Sequence, residues 1–152
     1  MKSELHYTLI KSPAEFEQHQ DIWSGLHTVH QQLRPALQDL TEYVERIRLM
    51  LREGAYYLWV KNPAEEIVSI AIFRMHHNTY QNKLCFLDDL IVNEQIRASG
   101  IGKQVLSYIE DFARENACDH LSLDSGTFRT RAHKFYFMNN YVADCFHFSK
   151  KL

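Results

Sequence analysis

The stretch from Leu87 to Lys103 constrains the fold of this chain more than any other. An apolar run over residues 83–92 has the length and composition of a strand. It ends in the polar Asn93-Glu94, and a loop carrying Gly100 and Gly102 follows. Ile101, Val105, Ile109 and Phe112 then recur at helical spacing over residues 100–117. A further strand pattern occupies residues 120–125. A strand, a helix and a strand in succession predict two parallel strands, with the helix crossing over on one face. Ahead of this unit, residues 55–60, 67–75 and 83–92 are strand-like runs separated by short polar turns, as in an antiparallel meander. The expected fold class is α/β, with a mixed, mostly antiparallel central sheet and flanking helices.

The remaining segments fit around that sheet. Residues 5–10 read as a first strand. Ser12-Pro13-Ala14-Glu15 then announces a helix: Ser12 caps it, Pro13 suits its first position, and Glu15 follows the cap by three residues. Ile22, Leu26, Val29 and Leu33 continue at helical spacing until Pro35 ends or kinks the helix. Thr41 caps a second helix with Val44, Ile47 and Leu51 on one face, and Gly54 closes it. Residues 130–139 predict a short helix grouping Ala132, Phe135 and Tyr136, and residues 142–149 a closing strand. The chain has 152 residues and no repeat or linker, so a single domain over 1–152 is expected.

Composition removes several function classes. Seventeen basic and nineteen acidic residues give a net charge of -2, so nothing favours a nucleic-acid partner. No apolar run approaches the ~18 residues of a membrane span, and the N-terminus lacks an apolar leader core. A cytoplasmic protein with no membrane partner is expected. Cys85, Cys118 and Cys145 are far apart and odd in number, which predicts buried, reduced thiols. His19, His27 and His30, and the pair His76-His77, lack the spacing of a common metal motif. No metal is expected.

The loop after residue 92 carries the chemistry. The first turn of a helix has amide hydrogens without intrahelical partners and partial positive charge. Gly100 and Gly102 clear side chains from that turn, and Arg97 and Lys103 add positive charge. Together they predict a cradle for a pyrophosphate. The spacing matches neither a Walker loop nor a dinucleotide-binding fingerprint, and a tight structural turn would also use such glycines.

Arg97-Ala98-Ser99-Gly100-Ile101-Gly102 resembles the Arg/Gln-x-x-Gly-x-Gly/Ala motif of the GNAT superfamily of N-acetyltransferases. Leu87-Asp88-Asp89-Leu90-Ile91-Val92 resembles the strand that precedes it in that family. Ala132-His133-Lys134-Phe135-Tyr136 with Asn140-Tyr141 resembles the family's Ala-x-x-Phe/Leu-Tyr-x-x-x-Gly-Phe. The match covers residues 84–152 well. Leu33-Arg34-Pro35 adds a likeness to an uncharacterised branch of small bacterial members. Two departures stand out. Asn140 replaces the family glycine, which asparagine can do in a left-handed turn. Arg129 stands where the family often has a CoA-binding asparagine.

The resemblance implies a sheet whose parallel pair splays open and an acetyl-CoA cosubstrate. Its pyrophosphate would lie on Arg97, Ala98, Ser99, Gly100, Ile101, Gly102 and Lys103. Its pantetheine arm would run along Leu90, Ile91 and Val92, with Arg129 and Tyr136 also in contact. The implied reaction is direct attack of an amine on the thioester, with an oxyanion-hole-like amide near Ile91. Asp88 or Asp89 would accept the amine's proton. Adjacent strand residues point to opposite faces, so at most one of them should face the pocket, and the sequence leaves open which. Tyr136 would return a proton to the CoA thiolate; read without the family, it is a core aromatic. Arg34, Asp88, Asp89 and Asp124 are candidate contacts of a small-molecule amine acceptor, and Tyr56, Tyr57, Trp59, Arg74 and His76 its candidate lining. A homodimer is the expected assembly. A non-catalytic acyl-CoA sensor and a protein or peptide N-acetyltransferase remain as other readings.

Overall fold

The computed structural model describes residues 4–152, without the side chains of residues 97–99. It divides into two compact units, residues 4–122 and Leu123–Leu152. In the first, β1 (His6–Ile10), β2 (Tyr56–Lys61), β3 (Ile67–Asn78) and β4 (Asn82–Val92) form an antiparallel meander. β5 (His120–Leu123) lies beside β4 at the edge and runs parallel to it. The Asp119 amide donates to the Lys83 carbonyl at 2.8 Å, so the parallel strands start together. At ~3.3 Å per residue, β5 spans about 13 Å and β4 about 36 Å. The pair therefore stays together only along the first part of β4, and its edge runs on past the end of β5.

One face of the sheet carries α1 (Pro13–Glu17), α2 (Trp23–His30) and α3 (Leu40–Arg52). Tyr57, Trp59, Ile70, Ile72 and Ile91 from the strands bury there against Phe16, Leu26, Val44, Ile47 and Leu51. α4 (Ile101–Glu115) covers the other face, where its Phe112 meets the rings of Tyr56 and Phe73 edge-on at 5.3 and 5.7 Å. Burying a large apolar side chain stabilises by about 1.5–3 kcal/mol, which makes these two layers the main source of stability.

Three elements differ from the sequence expectation. The helix begun at Pro13 does not run on to Leu33. The chain breaks at His19 and makes a 3-10 turn over Gln20–Ile22 before α2 starts. The break lets the Phe16 and Trp23 rings stack at 5.0 Å, and the indole N–H donates to the Phe16 carbonyl at 3.3 Å. On one straight helix, residues seven apart would be separated by about 10 Å. The cap of α3 is Asp39 rather than Thr41: its carboxylate accepts from the Glu42 amide at 2.9 Å. Residues 142–149 form no strand, and Val142, Phe146 and Phe148 are 79%, 88% and 89% exposed. Their alternation supplies a strand's pattern, but a strand also needs a ladder partner. In this second unit α5 (Thr130–Met138) is followed by Asn140 at φ 66°, the left-handed turn expected there.

The thiols also differ from expectation. Cys85 is buried, which pushes its thiol up to about 12, whereas Cys118 is half-buried and Cys145 exposed. Among the described residues no group of three or more His, Cys, Asp or Glu could hold a metal ion, and no helix is long and apolar enough to cross a membrane.

Candidate active site

β4 is irregular where the sequence places its two carboxylates. Leu87 pairs with Phe73 and Asp89 with Ile72, so Asp88 is an extra residue without a register partner. Such a bulge bends the strand and interrupts its alternation of faces. Asp89 lies opposite Ile72 on the face of α1–α3. Arg74, two residues on from Ile72, shares that face. Its Nε donates to Asp88 Oδ2 at 2.9 Å. Both carboxylates therefore lie on one face, which corrects the expectation that at most one would.

The turn after α2 closes over them. Arg34 is hydrogen-bonded through its guanidinium to Asp89 Oδ1, and to the Asp88 carbonyl at 3.4 Å. Its side chain is 47% exposed, against 9% for Asp89. From the buried side, His30 Nε2 lies 2.8 Å from Asp89 Oδ2, and its Nδ1 lies 3.0 Å from the Tyr43 hydroxyl. That hydroxyl in turn meets the Tyr57 hydroxyl at 2.6 Å. Burial pushes the Asp89 carboxyl up, but the hydrogen bonds and charges of His30 and Arg34 outweigh it, and the group sits below the usual carboxylate range. Burial raises the phenols of Tyr43 and Tyr57 well above theirs.

The same turn reaches the predicted cradle. Gln32 Oε1 accepts from the Glu94 amide at 2.9 Å, and its Nε2 donates to Asn93 Oδ1 at 3.3 Å. Asn93 donates its side-chain amide to the Ile67 carbonyl at 3.1 Å, and its oxygen accepts from the Gln95 amide at 3.2 Å. A 3-10 turn over Glu94–Ser99 then leads to Gly100 at φ 71°, ψ 13°, which is both its C-cap and the N-cap of α4. The N-cap of α4 is Gly100, which brings no side chain of its own to the first turn, and a Cβ on Gly100 would meet no atom within 4 Å. First-turn amides opened by a glycine with space around it suit a pyrophosphate. Ile101 is buried and Lys103 exposed on that turn. The side chains of Arg97, Ala98 and Ser99 lie outside the described residues.

In the second unit, Tyr136 meets Phe135 and Tyr141 edge-on at 5.3 and 5.6 Å. Burial pushes its phenol up to about 12, with Arg129 pulling the other way. The Arg129 guanidinium lies 5.0 Å over the Phe128 ring. Asp124 pairs with His147 Nδ1 at 2.8 Å.

The sequence reading missed His30 and Tyr43. His30 stands four residues before Arg34, one helical turn away, and that spacing is the signal that could have joined them. Of the expected acceptor lining, Tyr57 and Trp59 are buried in the core and Tyr56 lies on the α4 face. Arg74 joins Asp88, and His76 is exposed.

Comparison with known proteins gives this arrangement a family. The acetyltransferase (GNAT) family model matches residues 17–138, and the chain belongs to that family as an N-acetyltransferase. It is 28% identical over 116 residues to the uncharacterised N-acetyltransferase YhdJ of Bacillus subtilis (strain 168), covering 75% of this chain and 80% of that protein. It is 26% identical over 103 residues to the aminoalkylphosphonate N-acetyltransferase of Salmonella typhimurium, covering 68% and 67%. Among solved structures, the aminoglycoside N-acetyltransferase AAC(6')-Iy in complex with CoA superposes with a TM-score of 0.78. It is 13% identical, over 99% of this chain and 97% of that one, a likeness of fold.

Proposed function

We propose that this N-acetyltransferase moves the acetyl group of acetyl-CoA to a primary amine of a small molecule, by direct attack of the amine on the thioester. The observation that carries this reading is the bulge at Asp88, which gathers two carboxylates and two guanidinium groups on one face of β4. A small amine that also bears an anionic group complements that set. A carboxylate receives its ammonium, and the planar fork of an arginine receives its anion. The aminoalkylphosphonate N-acetyltransferase relative supports such an acceptor.

Asp88, the more exposed carboxylate at 24%, takes the amine's proton directly or through water. Asp89 holds Arg34 toward the acceptor. The first-turn amides of α4 from Gly100 to Lys103 hold the pyrophosphate, and the edge of β4 at Leu90, Ile91 and Val92 holds the pantetheine arm. Bound acetyl-CoA supplies the activated thioester. Tyr136 as proton donor to the leaving thiolate, and Arg129 as a CoA contact, rest on their places in the family motif. Asp124, paired with His147 just after β5, is a further acceptor contact in this reading. The two units together make one domain, as a family model running across both supports. An exposed free thiol at Cys145 supports a reducing, cytoplasmic setting.

The test is acetyl-CoA consumption across polyamines, aminoglycosides, amino acids, aminoalkylphosphonates and peptide N-termini. Turnover of small amines, highest for those carrying an anion, is expected. Arg34→Ala should then raise the acceptor's KM and leave that of acetyl-CoA alone. Turnover of peptides alone would replace this reading with a peptide N-acetyltransferase. CoA binding with no turnover would replace it with a sensor.

A further inference from the structure

We propose that His30 is a positioning residue of the acceptor site: its imidazole, seated between the Tyr43 hydroxyl and Asp89 with its Nε2–H on the carboxylate, holds Asp89 and through it aims Arg34. The inference rests on the acceptor reading above and deepens it. His30 ends α2 with 2% of its surface exposed, so it acts only through its neighbours. Those neighbours account for every polar atom of the ring. Nε2 faces Asp89 at 2.8 Å and Nδ1 faces Tyr43 at 3.0 Å.

Donor and acceptor bookkeeping sets the tautomer. An ionised carboxylate only accepts, so Nε2 carries the hydrogen. With a neutral ring, Nδ1 then accepts from Tyr43, and the Tyr43 oxygen accepts from Tyr57, 2.6 Å away. Every hydrogen along the chain has an acceptor. A proton placed on Nδ1 reverses the Tyr43 hydroxyl toward Tyr57, whose own buried hydrogen then loses its acceptor. A buried donor left unpaired costs about 1–3 kcal/mol. The fully paired arrangement is thus the one with the Nε2 hydrogen on Asp89 and Nδ1 accepting from Tyr43. Burial keeps both phenols protonated and able to play these parts.

The groups facing this centre come from several elements. Arg34 reaches Asp89 from the turn after α2, and Asp88 and Arg74 adjoin it on β4 and β3. His27 stacks on Tyr43 at 4.9 Å and is itself tied to the Leu37 carbonyl at 2.7 Å. His30 is the ring in this group that touches the carboxylate. Arg34 and His30 therefore grip opposite oxygens of one carboxyl group. Removing the inner grip frees Asp89 to turn and takes Arg34 with it.

Two measurements test this. The first is ¹⁵N NMR of histidine rings in the free enzyme, which needs no acceptor. His30 is expected as the Nε2–H tautomer, and Asp89→Leu, which removes the acceptor at Nε2, should mix the tautomers. An Nδ1–H ring in the wild type, or a tautomer indifferent to Asp89→Leu, overturns the proposal even if no substrate is known. The second is steady-state kinetics with any amine the screen yields. His30→Ala should lower acceptor kcat/KM about 10²-fold, the scale of a misplaced contact, and leave the KM of acetyl-CoA in place. His30→Gln presents an amide donor to Asp89 and should recover most of that loss. Equal losses in both variants would show a packing role only. If no amine is turned over, the functional reading fails and the NMR result still decides whether His30 holds Asp89.

Discussion

Asp89 and Tyr136 show how far one residue's role depends on its surroundings. Asp89 carries a folded-state pKa held below its ordinary value. Its ion pairing therefore stabilises fully above the usual carboxylate range near ~3.9 and is lost as pH falls through the lower folded value. Asp89→Asn should destabilise at pH 7, by about 1–3 kcal/mol for weakening a buried hydrogen-bonded charge. The deficit should shrink as acid protonates the wild-type carboxyl. Urea denaturation of both proteins from pH 7 down to pH 3 measures it, and a deficit independent of pH would show that the charge contributes nothing. For Tyr136, Phe removes only the hydroxyl from a ring that packs between Phe135 and Tyr141. If the phenol is the acid, Tyr136→Phe should cost roughly 10²–10⁴ in turnover. Activity above about half of wild type would return Tyr136 to a packing role, because the predicted loss is far larger. Its raised pKa keeps the proton on the phenol throughout neutral pH.

At the scale of elements, the decisive features are a bulge in β4 and a helix opened by a glycine. Gly100 sits at φ 71° with no atom near its missing Cβ, so a side chain there is penalised by backbone strain rather than by contact. Left-handed backbone costs an ordinary residue about 1–2 kcal/mol, and a β-branched one suffers more. Gly100→Val should therefore fold, with reduced stability, and lose CoA binding as the first turn of α4 shifts. Calorimetry showing wild-type CoA affinity in a folded Gly100→Val protein would move the cradle elsewhere. The bulge was not legible in the sequence. Leu87-Asp88-Asp89-Leu90 reads as a regular strand, and alternation assigns its two carboxylates to opposite faces. Only pairing with β3 shows that Leu87 faces Phe73 while Asp89 faces Ile72. The break at His19 was hidden for a similar reason: helical spacing continues through it, and the stacking of Phe16 on Trp23 decides it.

At the scale of the molecule, the exposed row of Val142, Phe146 and Phe148 is an apolar strand pattern that calls for a partner. We propose that a second copy supplies it, giving a homodimer. Phe146→Ser with Phe148→Ser should convert the dimer to a monomer in sedimentation experiments; a wild-type monomer at micromolar concentration would overturn that assembly. The meander of β2, β3 and β4, the parallel pair of β4 and β5 and the glycine-opened α4 followed from the sequence alone, whereas the break at His19 and the missing strand over residues 142–149 did not. Periodicity, turn residues and the βαβ rule are local or nearly local, so the chain states them directly. The family was legible too, because its motif is a run of neighbours from Arg97 to Gly102. The grouping of His30, Arg34, Tyr43, Tyr57, Arg74 and the two carboxylates was decided only in three dimensions. Those residues are spread over 60 positions, from His30 to Asp89, and no local pattern specifies which buried polar atoms must satisfy one another. Strand register and helix packing bring them within hydrogen-bonding distance, and the cost of leaving any one of them unpaired fixes the arrangement.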